Sequence, residues 1–223
     1  MASESPVVAI DGPSGVGKST IAEQVAARLD LPYLETGAMY RALGWKVLQL
    51  GIDPTDREAV EELAVKIDLE IAPGPGHRAL VHLDGRPLVA DVRSPAVSEA
   101  TSQASVHPGV RREMVMRQRA FAHCQGAVLE GRDIGSRVFP DTPFKFFLTA
   151  SPEIRIARRL KQLAISGESG VDRDQIATEV LARDERDQTR DDSPLKMDAS
   201  YTVLDTGKLS IDEAVEAIVA AIR

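Results

Sequence analysis

The 223-residue chain contains no asparagine, one cysteine and only 4% aromatic residues. No apolar run approaches the ~18 residues that a membrane helix needs, and the N-terminus carries no signal-peptide pattern, so a cytoplasmic protein without a membrane partner is expected. The single cysteine, Cys124, cannot form an internal disulfide and suits a reducing compartment. The four histidines (His77, His82, His107 and His123) lack HExxH or CxxC company, which argues against a zinc site. They read as structural or surface residues, Cys124 as a buried apolar one and Trp45 as core. Lysine is also scarce: it supplies seven of the 27 basic residues, leaving 20 arginines against 34 acidic residues and a net charge of −7. That balance argues against a bulk nucleic-acid or acidic-membrane binder. Arginine offers a planar fork of donors suited to phosphate and carboxylate, so its excess in an acidic protein suggests concentrated anion handling. A high-GC genome produces the same bias, and the positions of the arginines must decide.

What is present is globular. With 43% apolar and 27% charged residues, the chain can bury the core of one elaborated domain. After a short tail, Met1 to Pro6, the run Val7 to Ile10 has the size of a buried strand. It leads into Asp11-Gly12-Pro13-Ser14-Gly15-Val16-Gly17, which cannot be regular structure, and then into a helical pattern over Lys18 to Leu29 with Ile21, Val25 and Leu29 spaced by four. Further strand-like runs are Tyr33-Leu34, Ala127 to Leu129, Phe144 to Leu148 and Tyr201 to Leu204. Helical stretches such as Pro108 to Ala122, Pro152 to Ile165 and Ile211 to Ile222 alternate with them, the last opened by a Ser210 and Glu213 capping pattern. This alternation predicts an α/β fold: a five-stranded parallel sheet covered by helices. The stretch Ile67 to Ala90 breaks the rhythm. Its strand-like runs Ile67 to Ala72, Arg78 to Leu83 and Arg86 to Ala90, with turns at Pro73 to Gly76 and Asp84-Gly85, predict a small antiparallel three-stranded insertion over residues 67–91 of a core formed by 1–66 and 92–223.

Gly12-Pro13-Ser14-Gly15-Val16-Gly17-Lys18-Ser19 matches G-x-x-x-x-G-K-[ST] in full, in the required strand-loop-helix context. Glycines let the loop backbone turn several N–H groups onto one anion, and the helix N-terminus adds partial positive charge. Lys18 is placed to reach the β- and γ-phosphates of ATP, and the Ser19 hydroxyl to ligate Mg²⁺, with Thr20 following at the same helix start. A switch GTPase reads guanine with Asn-Lys-x-Asp, which a chain without asparagine cannot carry. Ala127-Val128-Leu129-Glu130 is a weak match to the acidic strand end of large ATPases. Glu130 either helps hold Mg²⁺ through water or pairs with Arg132.

The arginine positions bear on the second substrate. At an effective dielectric of about 20 and a separation of about 4–5 Å, two doubly charged phosphates repel by on the order of 10 kcal/mol. A phosphate acceptor therefore needs several fixed cations, whereas a hydroxyl acceptor needs fewer and more often a base. Glu35-Thr36-Gly37-Ala38-Met39-Tyr40-Arg41 reads as a loop following the second strand, and Glu130-Gly131-Arg132-Asp133-Ile134-Gly135 follows another. Loops at the carboxyl ends of parallel strands face the ligand crevice, which places Arg41, Arg132 and Asp133 at one rim. Arg155, Arg158 and Arg159 share one helix face, as do Arg183, Asp187 and Arg190. Ser166-Gly167-Glu168-Ser169-Gly170 joins the two helices, so residues of about 155–190 read as a helical lid whose closure excludes water. A pair of solvated, ion-paired helices would show the same spacing.

With these residues in view, the sequence resembles the bacterial cytidylate kinases, of the nucleoside monophosphate kinase group. The resemblance is carried by Gly12 to Ser19, Thr36-Gly37-Ala38-Met39-Tyr40-Arg41, Ser102-Gln103, Arg111, Gly131-Arg132-Asp133-Ile134-Gly135, Val138-Phe139-Pro140-Asp141, and Arg183 with Asp187 and Arg190, in order along almost the whole chain. It implies a P-loop kinase core and Mg²⁺-dependent transfer of the ATP γ-phosphoryl group to CMP or dCMP. A monomer is expected. The resemblance also implies that Ser102, Arg111 and Asp133 recognise cytosine, that Arg41, Arg132 and Arg190 hold the acceptor phosphate beside Thr36, and that Arg183 and Asp187 meet the sugar. Lys18, Arg155, Arg158 and Arg159 would stabilise charge on the transferring group. A kinase for UMP or for a hydroxy acid such as shikimate or gluconate, and a non-catalytic nucleotide sensor, are the rival readings.

Overall fold

A computed structural model describes residues 5–88, 92, 94–123, 125–165 and 172–223. Part of the expected tail (Met1 to Glu4), Cys124, the end of the third insert run (Val89 and Ala90) and the glycine-rich link Ser166 to Gly170 lie outside the described residues.

Five parallel strands form the main sheet: β1 (Val7–Asp11), β2 (Tyr33–Glu35), β6 (Ala127–Gly131), β7 (Phe144–Thr149) and β8 (Thr202–Asp205), in the spatial order β2-β6-β1-β7-β8. The apolar run that opens the chain is continuous because both of its faces are covered. Val8 and Ile10 pack with Ile21 and Val25 of α1 (Lys18–Leu29) and with Ile218 of α8 (Ile211–Ile222). Ala9 points the other way, into a cluster containing Met39, Leu43 and Val47 of α2 (Thr36–Gln49), Val60 of α3 (Arg57–Lys66), Ala104 of α4 (Pro95–Ala104) and Met114 of α5 (Pro108–Ala122). Strand β1 is thus central, with β6 and β2 on one side and β7 and β8 on the other. This is the switch point at which open α/β sheets bind ligands.

The insertion is an antiparallel sheet of β3 (Leu69–Pro73), β4 (Ala79–Leu83) and a two-residue β5 (Arg86–Pro87). Its inward residues Leu69, Ala79, Val81 and Leu83 belong to the same buried cluster as Met39 and Leu43, so it is joined to the α/β core through shared apolar burial. A backbone bond from Tyr33 N–H to the His77 carbonyl (2.7 Å) ties it to the edge strand β2. Helices α6 (Pro152–Ile165) and α7 (Arg173–Thr189) form a hairpin with a small core of their own, made by Ile156, Leu163 and Ile176. Ser210 and Glu213 cap α8 reciprocally, as their spacing suggests. Among the described residues no helix is long and apolar enough to cross a membrane.

Two local expectations are corrected. Thr36 to Arg41 is not a loop: β2 passes directly into α2, whose first turns these residues form. Two glycines, Gly37 and Gly44, depress the helical signal there, and packing overrides them. Arg190 is not part of the α7 face; it follows the helix in an extended conformation (φ −59°, ψ 142°), and its backbone N–H caps the Arg186 carbonyl.

Candidate active site

The phosphate loop leaves β1 at Gly12, whose φ of +148° suits only glycine; a Cβ there would lie 2.2 Å from the Leu148 carbonyl oxygen. Gly17 precedes α1 in a left-handed conformation, so the helix begins without a side-chain cap and its first N–H groups remain open to an anion. Lys18 is buried. Its ammonium donates to the Pro13 carbonyl (2.8 Å) and lies 3.9 Å from Glu130 Oε2. Burial, reinforced by the Arg132 guanidinium, lowers its pKa to about 7.

The Ser19 hydroxyl donates to Glu130 Oε1 at 2.8 Å. The Nε of Arg132 donates to Asp187 Oδ2 (2.9 Å), while the Glu130 carboxylate faces Ser19 and Lys18. A serine hydroxyl and a carboxylate beside a phosphate loop are hard oxygen donors that fit Mg²⁺, an ion that takes one or two protein ligands and completes its shell with phosphate and water. Among the described residues no group of three or more His, Cys, Asp or Glu side chains is arranged for a metal.

The second half of the site faces this loop. Strand β6 ends at Gly131, and Asp133 precedes a short π-helical turn over Ile134–Val138 without capping it through its side chain. The Asp133 carboxylate accepts from the Arg111 guanidinium of α5 (2.5 Å) and lies 3.8 Å from that of Arg190. Arg111 also donates to the Ser105 carbonyl (3.2 Å) and sits over the Tyr40 ring, 5.6 Å from its centroid. Asp187 lies between Arg132 and Arg190, the latter at 3.6 Å. Burial pushes its carboxyl up, but Arg132, Arg183 and Arg190 outweigh that and hold it below the usual carboxylate range. Arg41 pairs with Glu35 (2.5 Å), which also accepts from Arg78 of the insert (2.9 Å). Arg183 makes no ion pair with any described residue; burial first, and then the Arg132 charge, lower its pKa to about 10. Thr36 is buried with its hydroxyl donating to the Glu130 carbonyl (2.8 Å), and Ser102 of α4 is buried beside the cleft.

The three arginines of α6 differ in their engagement. Arg155 pairs with Asp184 of α7 (2.6 Å) and donates to the Ser14 carbonyl (3.3 Å). Arg158 donates to the Gly15 carbonyl (3.3 Å) and to Thr206 (2.7 Å to its carbonyl). Arg159 lines the cleft. One cavity of about 860 Å³ is bounded by Ser14 to Thr20 on one side and by Arg41, Arg111, Arg132, Asp133, Arg183 and Arg190 on the other, with Ser102 between them. Every arginine singled out from the sequence reaches this cavity. Residues that sequence reasoning misses are Glu35 and Ser105, which hold Arg41 and Arg111, and the Glu99–Arg186 pair joining α4 to α7 (2.8 and 2.9 Å). Asp11 is missed as well, although a charge ending an apolar strand is a visible signal.

A phosphate loop and a buried arginine cluster sharing one cleft define a P-loop phosphotransferase that brings two anions together. Known proteins agree. The cytidylate kinase family profile matches residues 8–223, and the chain belongs to that family. It is 42% identical over 218 residues to the cytidylate kinase of Solibacter usitatus (strain Ellin6076), covering 97% of this chain and 92% of that one. It is 43% identical over 219 residues to that of Symbiobacterium thermophilum, covering 97% and 96%. The bifunctional pantoate ligase/cytidylate kinase of Synechococcus sp. (strain JA-3-3Ab) is 44% identical over 220 residues, covering 98% of this chain but 41% of that protein. The chain therefore spans about two fifths of the bifunctional relatives' length. Among solved structures, an uncharacterized protein from Eubacterium ventriosum ATCC 27560 shares the fold, with a TM-score of 0.52 at 13% identity over 98% of each chain.

Proposed function

We propose that this enzyme transfers the γ-phosphoryl group of ATP to CMP or dCMP, giving ADP and CDP or dCDP, with Mg²⁺ as cofactor. The observation that carries the reading is the single cavity in which Arg41, Arg132, Arg183 and Arg190 stand opposite the phosphate loop. An oxygen of the acceptor phosphate attacks the γ-phosphorus as the bond to the β-bridging oxygen breaks. That phosphate is largely ionised near neutral pH, so no side chain need act as base, and catalysis consists of positioning and charge neutralisation. Gly12, Pro13, Ser14, Gly15, Val16, Gly17, Lys18, Ser19 and Thr20 bind ATP. Ser19, with Glu130, would hold Mg²⁺, which when bound neutralises charge shared by the β- and γ-phosphates. Lys18 and Arg159 face the transferring group, while Arg155 and Arg158 secure the carbonyl side of the loop. Arg41, Arg132 and Arg190 bind the acceptor phosphate beside Thr36, and Arg183 and Asp187 the sugar. Ser102, Arg111 and Asp133 meet the cytosine edge. There an acidic acceptor suits the exocyclic amine, and a uracil carbonyl would cost roughly 1–3 kcal/mol. All of these groups lie in one chain, so a single copy holds the whole site.

A hydroxy-acid acceptor would leave this arginine set without an anion to bind. A coupled ADP-release assay with CMP, dCMP, UMP, AMP, shikimate and gluconate tests the assignment. Turnover with CMP and dCMP and background rates with the hydroxy acids are expected; stimulation by a hydroxy acid alone overturns it.

A further inference from the structure

Asp11 is the last residue of β1 and immediately precedes the phosphate loop, yet its fully buried side chain faces the acceptor side. Its Oδ1 accepts the Ile134 N–H and its Oδ2 the Gly135 N–H, both at 2.8 Å. The Tyr201 hydroxyl donates a third bond, to Oδ2, also at 2.8 Å. The two amides open the π-helical turn that Asp133 precedes, and Asp133 makes no side-chain bond to them. An aspartate at that position ordinarily satisfies the first N–H groups of its own turn. In this chain Asp11 does so from another strand, 122 positions earlier in sequence than Asp133, leaving the Asp133 carboxylate to face Arg111 and Arg190. Gly135 permits the approach: a Cβ there would lie 2.8 Å from the Tyr201 hydroxyl and 3.0 Å from Lys145 Cγ.

We propose that Asp11 is a positioning residue for acceptor-base discrimination: by capping the Ile134–Val138 turn from β1 it frees and aims Asp133, and it ties the base-reading loop to the strand that carries the phosphate loop. The inference rests on Asp133 reading the base. Asp11 faces three donors, and an asparagine in its place must turn its NH₂ toward at least one of them. In Asp11→Asn, KM for CMP is therefore expected to rise about 10-fold and the CMP:UMP ratio of kcat/KM to fall about 10-fold, because a donor loses its acceptor and the loop shifts. The equilibrium Kd for ATP should stay within about threefold, since the phosphate loop's own bonds are untouched. Tyr201→Phe removes one donor and leaves both amides capped, so a change of about threefold in the same ratio is expected. An unchanged CMP:UMP ratio in Asp11→Asn, or an ATP affinity that falls in step with CMP, overturns the proposal. If Asp11→Asn does not fold, Tyr201→Phe decides by the same ratio. Asp133→Ala separates the two levels: equal losses for CMP and UMP defeat the base-reading assignment itself. A selective loss in Asp133→Ala beside an unchanged ratio in Asp11→Asn defeats only the positioning role.

Discussion

Lys18 enters the cleft with its charge disfavoured. Its folded pKa of about 7 lies well below the ordinary lysine value, so the free enzyme sheds this proton as pH rises through neutrality. Triphosphate binding adds further negative charge beside the ammonium and reverses the shift. At about pH 8, where nucleotide phosphates are already deprotonated, ATP binding is expected to take up close to one proton. Calorimetry in two buffers of different ionisation enthalpy reads this uptake, which Lys18→Met should abolish. The sign requires ATP affinity to fall as pH rises above about 7 and to level off below it. In turnover, Lys18→Ala is expected to lower kcat at least ~100-fold with the circular-dichroism spectrum intact, the scale of losing one preorganised charge donor. Residues of this kind are legible in sequence because the eight-residue motif is contiguous and its backbone geometry is local. Asp11 and Glu35 are not legible as supports. Their partners Ile134, Tyr201 and Arg78 come close only in the folded chain, and no spacing rule connects them.

Element scale shows the converse limit. The helices Lys18–Leu29, Pro108–Ala122, Pro152–Ile165 and Ile211–Ile222 follow their apolar spacing, and the insert follows its turns. Helix α2 does not, because its stability comes from contact rather than propensity. Gly44 lets α4 approach so closely that a Cβ would lie 2.4 Å from Thr101 Oγ1 and 2.9 Å from Thr101 Cα. Gly44→Ala is therefore expected to destabilise the fold by about 2 kcal/mol, within the usual cost of overpacking. Denaturant unfolding measures this. Because Thr101 adjoins Ser102, the same change should raise KM for CMP while leaving the ATP Kd alone; equal effects on both nucleotides would show that the α2–α4 contact serves the fold only.

Across the whole molecule, a protein of net charge −7 gathers nine of its 20 arginines around one cleft, so the local field opposes the global one. The sheet order β2-β6-β1-β7-β8 produces that concentration by bringing the ends of β1, β2 and β6 together, although they are distant in sequence. The parallel class of the sheet is legible from alternation of elements, while the convergence point depends on strand order, which alternation does not specify. A non-hydrolysable ATP analogue plus CMP should raise Tm more than either alone, each saturating ligand at about 100 times its Kd adding about 2.7 kcal/mol. Thermal unfolding with the four ligand combinations checks this, and a Tm that responds to only one of the two contradicts a shared cleft.

Several of the cleft's cations are already provided for from within. Glu35, Asp133 and Asp187 hold Arg41, Arg111, Arg132 and Arg190 before any nucleotide arrives. If Arg41, Arg132 and Arg190 bind the acceptor phosphate as proposed, that phosphate shares cations already engaged by carboxylates, which offsets part of its attraction. Such sharing favours rapid departure of the diphosphate product over tight retention, which is what a catalyst of a near-balanced transfer between nucleotides requires.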